Sequence, residues 1–82
     1  MKPTFLELRH LRTLLALKET GSVSMAAKRV YLTQSALSHQ IKLMEEQFGL
    51  PLFERKSNPL RFTAAGDRLI RLANEILPKV ID

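Results

Sequence analysis

Five side chains able to donate or accept hydrogen bonds recur at helical spacing in the middle of the chain: Gln34, Ser35, Ser38, His39 and Lys42. Residues four apart lie on one face of a helix, and no carboxylate follows this set before Glu45. Gln34 matches the donor and acceptor of adenine, and His39 can donate to guanine N7 or O6. Ser35 and Ser38 can donate to base edges, whereas Lys42 suits a phosphate oxygen. The pattern predicts a DNA-reading face; the alternative is a solvated helix surface.

The same residue types do not assemble into an enzyme site. His10 and His39 fall on different predicted helices, no acidic pair has metal-ligand spacing, and no glycine-rich loop is present to hold a nucleotide phosphate. The chain has no cysteine, which excludes disulfides, thiolate metal sites and thiol nucleophiles. We therefore expect no catalysis, no metal and no cofactor in this chain.

Composition is consistent with a small polyanion-binding domain, although many soluble proteins are equally basic. Its 82 residues, 45% of them hydrophobic, suffice for one core near the lower size limit. Thirteen Lys and Arg against eight Asp and Glu give a net charge of +5, with a pI of 10.1. No apolar run approaches the roughly 20 residues of a membrane span, and charges interrupt the N-terminus where a signal peptide would be apolar. We expect a cytoplasmic protein.

Start and stop signals divide the first fifty residues into three helices. Gly21 suits the left-handed residue that ends the first helix, and Ser22 can cap the second, predicted from about Val23 to Val30. Thr33 can cap the third helix, which carries the polar face, and Gly49 closes it. The other face of this third helix is apolar at helical spacing, through Leu37, Ile41, Met44 and Phe48.

A basic hairpin is predicted after the third helix. Residues 52–55 and 60–63 have strand-like patterns around a polar turn, whose proline disfavours a central strand. The hairpin carries Arg55, Lys56 and Arg61, with no acid between Glu54 and Asp67. Arg55 and Lys56 are candidates for DNA-backbone or minor-groove contact. Lys28 and Arg29, on the second helix, are candidates for phosphate contact.

The last helix, which Thr63 can cap, has an apolar face wider than a small core requires. Its stripe runs through Ala65, Leu69, Leu72, Ile76 and Val80, and is widened by Ile70, Ala73 and Leu77. We predict that part of this face meets a second copy of the chain.

These elements predict a mainly α-helical protein: a winged helix-turn-helix over residues 1–63, followed by a long linker and dimerisation helix over 64–82. Sequence-specific DNA binding is the favoured function. A winged-helix protein-interaction module and a nonspecific DNA binder remain alternatives.

The chain also resembles the N-terminal domain of LysR-type transcriptional regulators over essentially all of its length. The resemblance is carried by residues 8–11, 21–23, 26–27, 33–41, 45, 49–55 and 63–66. Within that family, residues 35–40, 55–63 and 72–74 resemble the branch that controls methionine biosynthesis.

The resemblance implies roles for individual residues. Base reading is assigned to Gln34, Ser35, Ser38 and His39. Phosphate or wing contacts are assigned to Ser22, Thr33, Lys42, Arg55, Lys56 and Asn58. Antiparallel pairing of the linker helices is assigned to Ala65, Leu69, Leu72, Ala73, Ile76, Leu77 and Val80.

Further expectations concern the longer protein. The family carries a separate C-terminal effector-binding domain, which is absent from this chain, forms tetramers at full length and contacts RNA polymerase. Its targets are interrupted palindromes. A methionine-branch member would respond to homocysteine as coregulator, which has no site in this chain.

Three positions depart from the family pattern. Many relatives have proline where Ser35 stands, arginine where His39 stands, and a basic residue where Asn58 precedes the wing proline. We expect His39 to alter base preference, and Lys56 and Arg55, rather than Asn58, to make the wing contacts.

Overall fold

The described part of the chain contains four helices and one paired segment. The computed structural model describes residues 7–54 and 59–81, the last five through their backbone alone. The helices are α1 (Leu8–Thr20), α2 (Val23–Arg29), α3 (Gln34–Phe48) and α4 (Ala64–Ile81). An antiparallel bridge joins Phe53 to Phe62 between α3 and α4. The predicted mainly helical fold is confirmed.

The helix boundaries follow from the predicted caps. Gly21 adopts a left-handed φ of 66° and donates its N–H to the Leu17 carbonyl at 2.9 Å, ending α1. The Ser22 hydroxyl accepts the Met25 N–H at 3.2 Å, and the Thr33 hydroxyl accepts the Ala36 N–H at 3.0 Å. These hydroxyls satisfy backbone donors that the first turns of α2 and α3 leave unpaired.

One core unites all four helices. α1 packs against α2 and α4, and α2 packs against α3. Ala26 and Ala27 are buried to 0% and 2% exposure, and their small side chains allow neighbouring backbones to approach closely. Ala73 of α4 is also fully buried, so the linker helix shares this core. The remaining core residues are Leu11, Leu14, Ala16, Leu17, Leu37, Met44, Leu52, Phe53 and Ile70.

The wing, defined here as residues 52–63, is paired over a shorter length than the sequence predicts. Glu54 donates its N–H to the Arg61 carbonyl at 2.9 Å, and Thr63 donates to the Leu52 carbonyl at 3.0 Å. The Leu60 N–H instead bonds the Gly21 carbonyl at 3.0 Å, in the turn between α1 and α2. The described wing residues show one antiparallel bridge, between Phe53 and Phe62, and no four-residue strand. Position 55 of the first predicted strand lies outside the described residues.

The base of the wing packs closely against α4. The Thr63 hydroxyl accepts the Gly66 N–H at 3.2 Å, which confirms it as a cap, and donates to the Pro51 carbonyl at 2.6 Å. A Cβ at Gly66 would lie 2.2 Å from the Leu52 carbonyl oxygen. The Phe53 and Phe62 rings pack at a centroid distance of 4.6 Å. The wing base is therefore part of the packed fold.

Candidate nucleic-acid interface

The α3 polar face is exposed as predicted. All five of its side chains are exposed: Gln34, Ser35, Ser38, His39 and Lys42. On the opposite side of α3, Leu37 and Met44 are 0% and 2% exposed, which fixes the orientation of the helix on the core. The five polar side chains are thereby brought together on one solvent-facing surface without an acid among them.

The start of α3 adds backbone donors to this surface. Thr33 is exposed and its hydroxyl oxygen already accepts the Ala36 N–H, which leaves its own O–H able to donate. The positive end of the fifteen-residue helix lies beside Gln34 and Ser35. Such a helix start favours an anion, such as a DNA phosphate.

The cations predicted on α2 differ in their surroundings. Lys28 and Arg29 are both exposed. Arg29 pairs with Glu19 at 2.5 Å, with side chains 52% and 62% exposed, so this is a weak surface pair. Ser22 is half-buried, and its hydroxyl oxygen caps α2.

A groove of about 480 Å³ separates α3 from the wing. Ser38 and Lys42 line its α3 side, and Phe53, Glu54 and Leu60 line its wing side. Glu45 also lines the groove, and its carboxylate accepts hydrogen bonds from the wing backbone. No sequence pattern indicated this interaction.

The predicted wing contacts Arg55, Lys56 and Asn58 lie outside the described residues. We call residues 52–54 the first leg of the wing and residues 59–63 the second leg. Arg61, on the second leg, is exposed. Lys18 of α1 lies over the Phe62 ring, with its Nζ 5.7 Å from the ring centroid. Among the described wing residues, Arg61 is thus the one cation, and Lys18 of α1 lies beside them.

The predicted dimerisation residues do not all face outward. Leu72 is 37% exposed, whereas Ala65, Leu69 and Ile76 are half-buried against the core. Ala73 is 0% exposed and belongs to the chain's own core, so its side chain does not reach the exposed face. The side chains of Leu77 and Val80 lie outside the described residues. We call Ala65, Leu69, Leu72 and Ile76 the α4 apolar face.

The described residues offer neither a metal site nor a membrane span. Within residues 7–54 and 59–81, no group of three or more His, Cys, Asp and Glu side chains could hold a metal ion. Over the same ranges, no helix has both the length and the apolar character needed to cross a membrane.

Two further features were not predicted from the sequence. Tyr31, between α2 and α3, has a left-handed φ of 61° and a side chain that is 94% exposed. Gln40 carries a buried Oε1 with no hydrogen-bond partner among the described residues. In the sequence, only the position of Gln40 on the helix, between the polar and apolar faces, could have indicated that it is partly buried.

The two helices joined by a short turn, the exposed polar α3 and the adjoining hairpin together define a winged helix-turn-helix domain of the DNA-binding class. The family described as "Bacterial regulatory helix-turn-helix protein, lysR family" matches residues 8–67. The chain belongs to this family, which confirms the resemblance drawn from its sequence.

Relatives in this family include regulators named MetR. The "HTH-type transcriptional regulator MetR" of Haemophilus influenzae is 90% identical over 82 residues, which are 100% of this chain and 26% of that protein. The Escherichia coli K12 protein of the same name is 51% identical over 75 residues, 92% of this chain and 24% of that protein. The chain thus spans about a quarter of these relatives. Their names agree with the expectation of a transcriptional regulator rather than an enzyme.

Solved structures share the fold at substantial identity. The BenM DBD/benA site 1 DNA complex is 39% identical, with a TM-score of 0.86, over 92% of this chain and 84% of that chain. The CbnR DBD–DNA complex is 32% identical, with a TM-score of 0.81, over 90% of this chain and 85% of that chain. Both similar chains were crystallised with DNA.

Proposed function

We propose that this chain binds double-stranded DNA sequence-specifically, as the DNA-binding domain of a LysR-type transcriptional regulator. The observation that carries this proposal is the exposed polar face of α3, which presents Gln34, Ser38 and Lys42 beside the positive helix end. The similarity to two domains crystallised with DNA supports it.

Each part of the surface has a proposed role on the duplex. α3 enters the major groove, where Gln34, Ser35, Ser38 and His39 face base edges. Phosphate contacts come from the side chains around it: Ser22, Thr33, Lys42 and, on the wing, Arg55, Lys56 and Asn58. The wing lies on the flanking minor groove. His39 replaces the arginine of many relatives and is the first candidate for altered base preference.

A second copy of the chain completes the proposed binding unit. The α4 apolar face supports antiparallel pairing of two α4 helices, because it exposes Leu72 beside the half-buried Leu69 and Ile76. A two-fold dimer would place two α3 helices in successive major grooves, about 34 Å apart, on an interrupted palindrome.

The role of the longer protein follows from its relatives. We propose that it regulates methionine-biosynthesis genes in the bacterial cytoplasm, where its DNA target lies. Homocysteine as coregulator, assembly into tetramers and contact with RNA polymerase belong to the same proposal. The MetR names of relatives at 90% and 51% identity support the methionine assignment.

Titration of duplexes at several salt concentrations tests the DNA-binding proposal. A duplex selected from a random pool should bind far more tightly than a scrambled duplex, and affinity for both should fall as salt rises. Equal affinity for every sequence would support a nonspecific binder. No duplex binding at low salt would support a protein-interaction module instead.

A further inference from the structure

Glu45 connects α3 to the wing through its carboxylate. Its Oε2 accepts the N–H of Leu52 at 2.8 Å and the N–H of Phe53 at 3.3 Å. Leu52 and Phe53 are 1% and 7% exposed, so water has little access to either residue. Hydrogen bonds to an ionised carboxylate are stronger than neutral ones, and a buried N–H that loses its partner is destabilising. One side chain therefore holds two consecutive backbone donors.

The bonded donors belong to the first leg of the wing. The Leu52 carbonyl and the Glu54 N–H pair with the second leg, at Thr63 and Arg61. The N–H groups of Leu52 and Phe53 are directed instead to Glu45 of α3. The leg is thus bonded on one edge to its hairpin partner and on the other to the helix that carries the polar face.

Glu45 lies one helical turn beyond Lys42 and lines the same groove. An acid beside a DNA-binding surface repels phosphate, so its removal should strengthen duplex binding if charge alone mattered. A side chain that fixes the wing has the opposite effect when it is removed. If Glu45 only repels phosphate, its removal should raise the affinity for DNA. If Glu45 fixes the wing, its removal should lower that affinity.

We infer that Glu45 is a positioning residue that holds the wing in register with the α3 polar face, so that major-groove and minor-groove contacts form as one rigid unit. This inference rests on the proposed function. When the carboxylate is removed, the wing loses its two hydrogen bonds to α3, while α3, held by Leu37 and Met44, keeps its own position.

Footprinting that distinguishes the two grooves tests the inference. The 82-residue chain, Glu45→Ala and Glu46→Ala are compared on one selected duplex. Glu46 is the matched control because it is exposed on the same helix and its removal changes the net charge equally. Methylation by dimethyl sulfate reports guanine N7 in the major groove. Hydroxyl radicals report the deoxyribose edge of the minor groove.

At saturating protein, Glu45→Ala should retain guanine N7 protection and lose hydroxyl-radical protection at the flanks. The slope of log affinity against log salt should fall by about one for each phosphate that the wing no longer neutralises. Glu46→Ala should keep both footprints. Retention of both footprints by Glu45→Ala would overturn the inference. Loss of both by a variant with the parent's circular dichroism would also overturn it.

Glu45→Gln covers the case in which the alanine variant does not fold. Its amide oxygen remains an acceptor without the charge, so minor-groove protection should be intermediate and amide exchange at Leu52 and Phe53 faster than in the parent. Exchange at the parent's rate would overturn the inference without reference to DNA. A parent that protects neither groove on any duplex would instead overturn the proposed function.

Discussion

Gln34 is the residue at which a base-reading role can be tested most directly. It is exposed at the first position of α3 and takes no part in the core. Gln34→Ala should cost about 1–3 kcal/mol on the preferred site and flatten discrimination at one base pair, because alanine cannot make the bidentate hydrogen bonds to adenine. Titration of duplexes that vary one base pair at a time measures this change.

Lys42→Ala is the control for the Gln34 variant. Lys42 lies two helical turns further along the same face, and a phosphate contact there carries no sequence information. This variant should weaken all duplexes alike and reduce the salt slope by about one. Equal weakening of specific and random duplexes by Gln34→Ala would contradict the base-reading role.

Tyr31 holds a backbone conformation that its side chain disfavours. Its φ is 61°, and with 94% of the side chain exposed, little burial offsets the strain. Tyr31→Gly should raise the free energy of unfolding by about 1 kcal/mol, because glycine adopts left-handed φ without a Cβ clash. Thermal unfolding measures this. Tyr31→Ala removes the same ring but keeps Cβ, and an equal gain from it would contradict the strain argument.

Sequence periodicity predicted which α3 residues are exposed, since Leu37 and Met44 fix the buried side of the helix. It could not predict the conformation of Tyr31 or the hydrogen bonds of Glu45. The first depends on how the short turn joins two packed helices. The second depends on the wing backbone lying beside α3, a proximity that no local pattern encodes.

The contact between α4 and the wing base predicts whether a substitution at Gly66 stabilises or destabilises the fold. In an unobstructed helix, a glycine-to-alanine change stabilises by about 0.5–1 kcal/mol. A Cβ at Gly66 would lie 2.2 Å from the Leu52 carbonyl oxygen and 2.9 Å from the Phe62 ring. Gly66→Ala should therefore destabilise the fold by about 1–3 kcal/mol, lowering the melting temperature by several degrees. A raised melting temperature would contradict this packing.

Helix ends were predictable from sequence, whereas the strand pairing was not. Ser22, Thr33 and Gly21 act locally, through bonds to residues three or four positions away. The Leu60 N–H instead bonds the carbonyl of Gly21, which is distant in sequence. A strand pattern shows which residues can pair but not where each backbone donor is directed.

The proposed dimer of the whole molecule can be tested by a substitution on the α4 apolar face. Leu72 is its most exposed member at 37%, so an aspartate there adds a charge to the proposed interface while sparing the core. Leu72→Asp should give a monomer by sedimentation, because an unpaired charge is costly in an apolar contact. Asn74→Asp adds the same charge at another exposed position of α4. It should leave the dimer intact, and a dimer that survives Leu72→Asp would place the interface elsewhere.

The apolar stripe of α4 was visible in the sequence, but its division between core and exterior was not. Ala73 and Ile70 are 0% and 4% exposed in the chain's own core, whereas Leu72 is directed outward. All three fall within the broad apolar stripe, and only the position of α1 against α4 separates them. Folding and the proposed assembly therefore share one helix.

The two ends of the wing are anchored to different parts of the fold, and this has an evolutionary consequence. Glu45 of α3 bonds the first leg, and the carbonyl of Gly21 bonds the second. Residues 55–58 connect these two anchored legs. Segments that connect two fixed elements tolerate changes in length and composition better than the elements they join. Under the proposed function, substitutions at positions 55–58 would alter the wing's contacts with flanking DNA and leave the base-reading side chains of α3 unchanged.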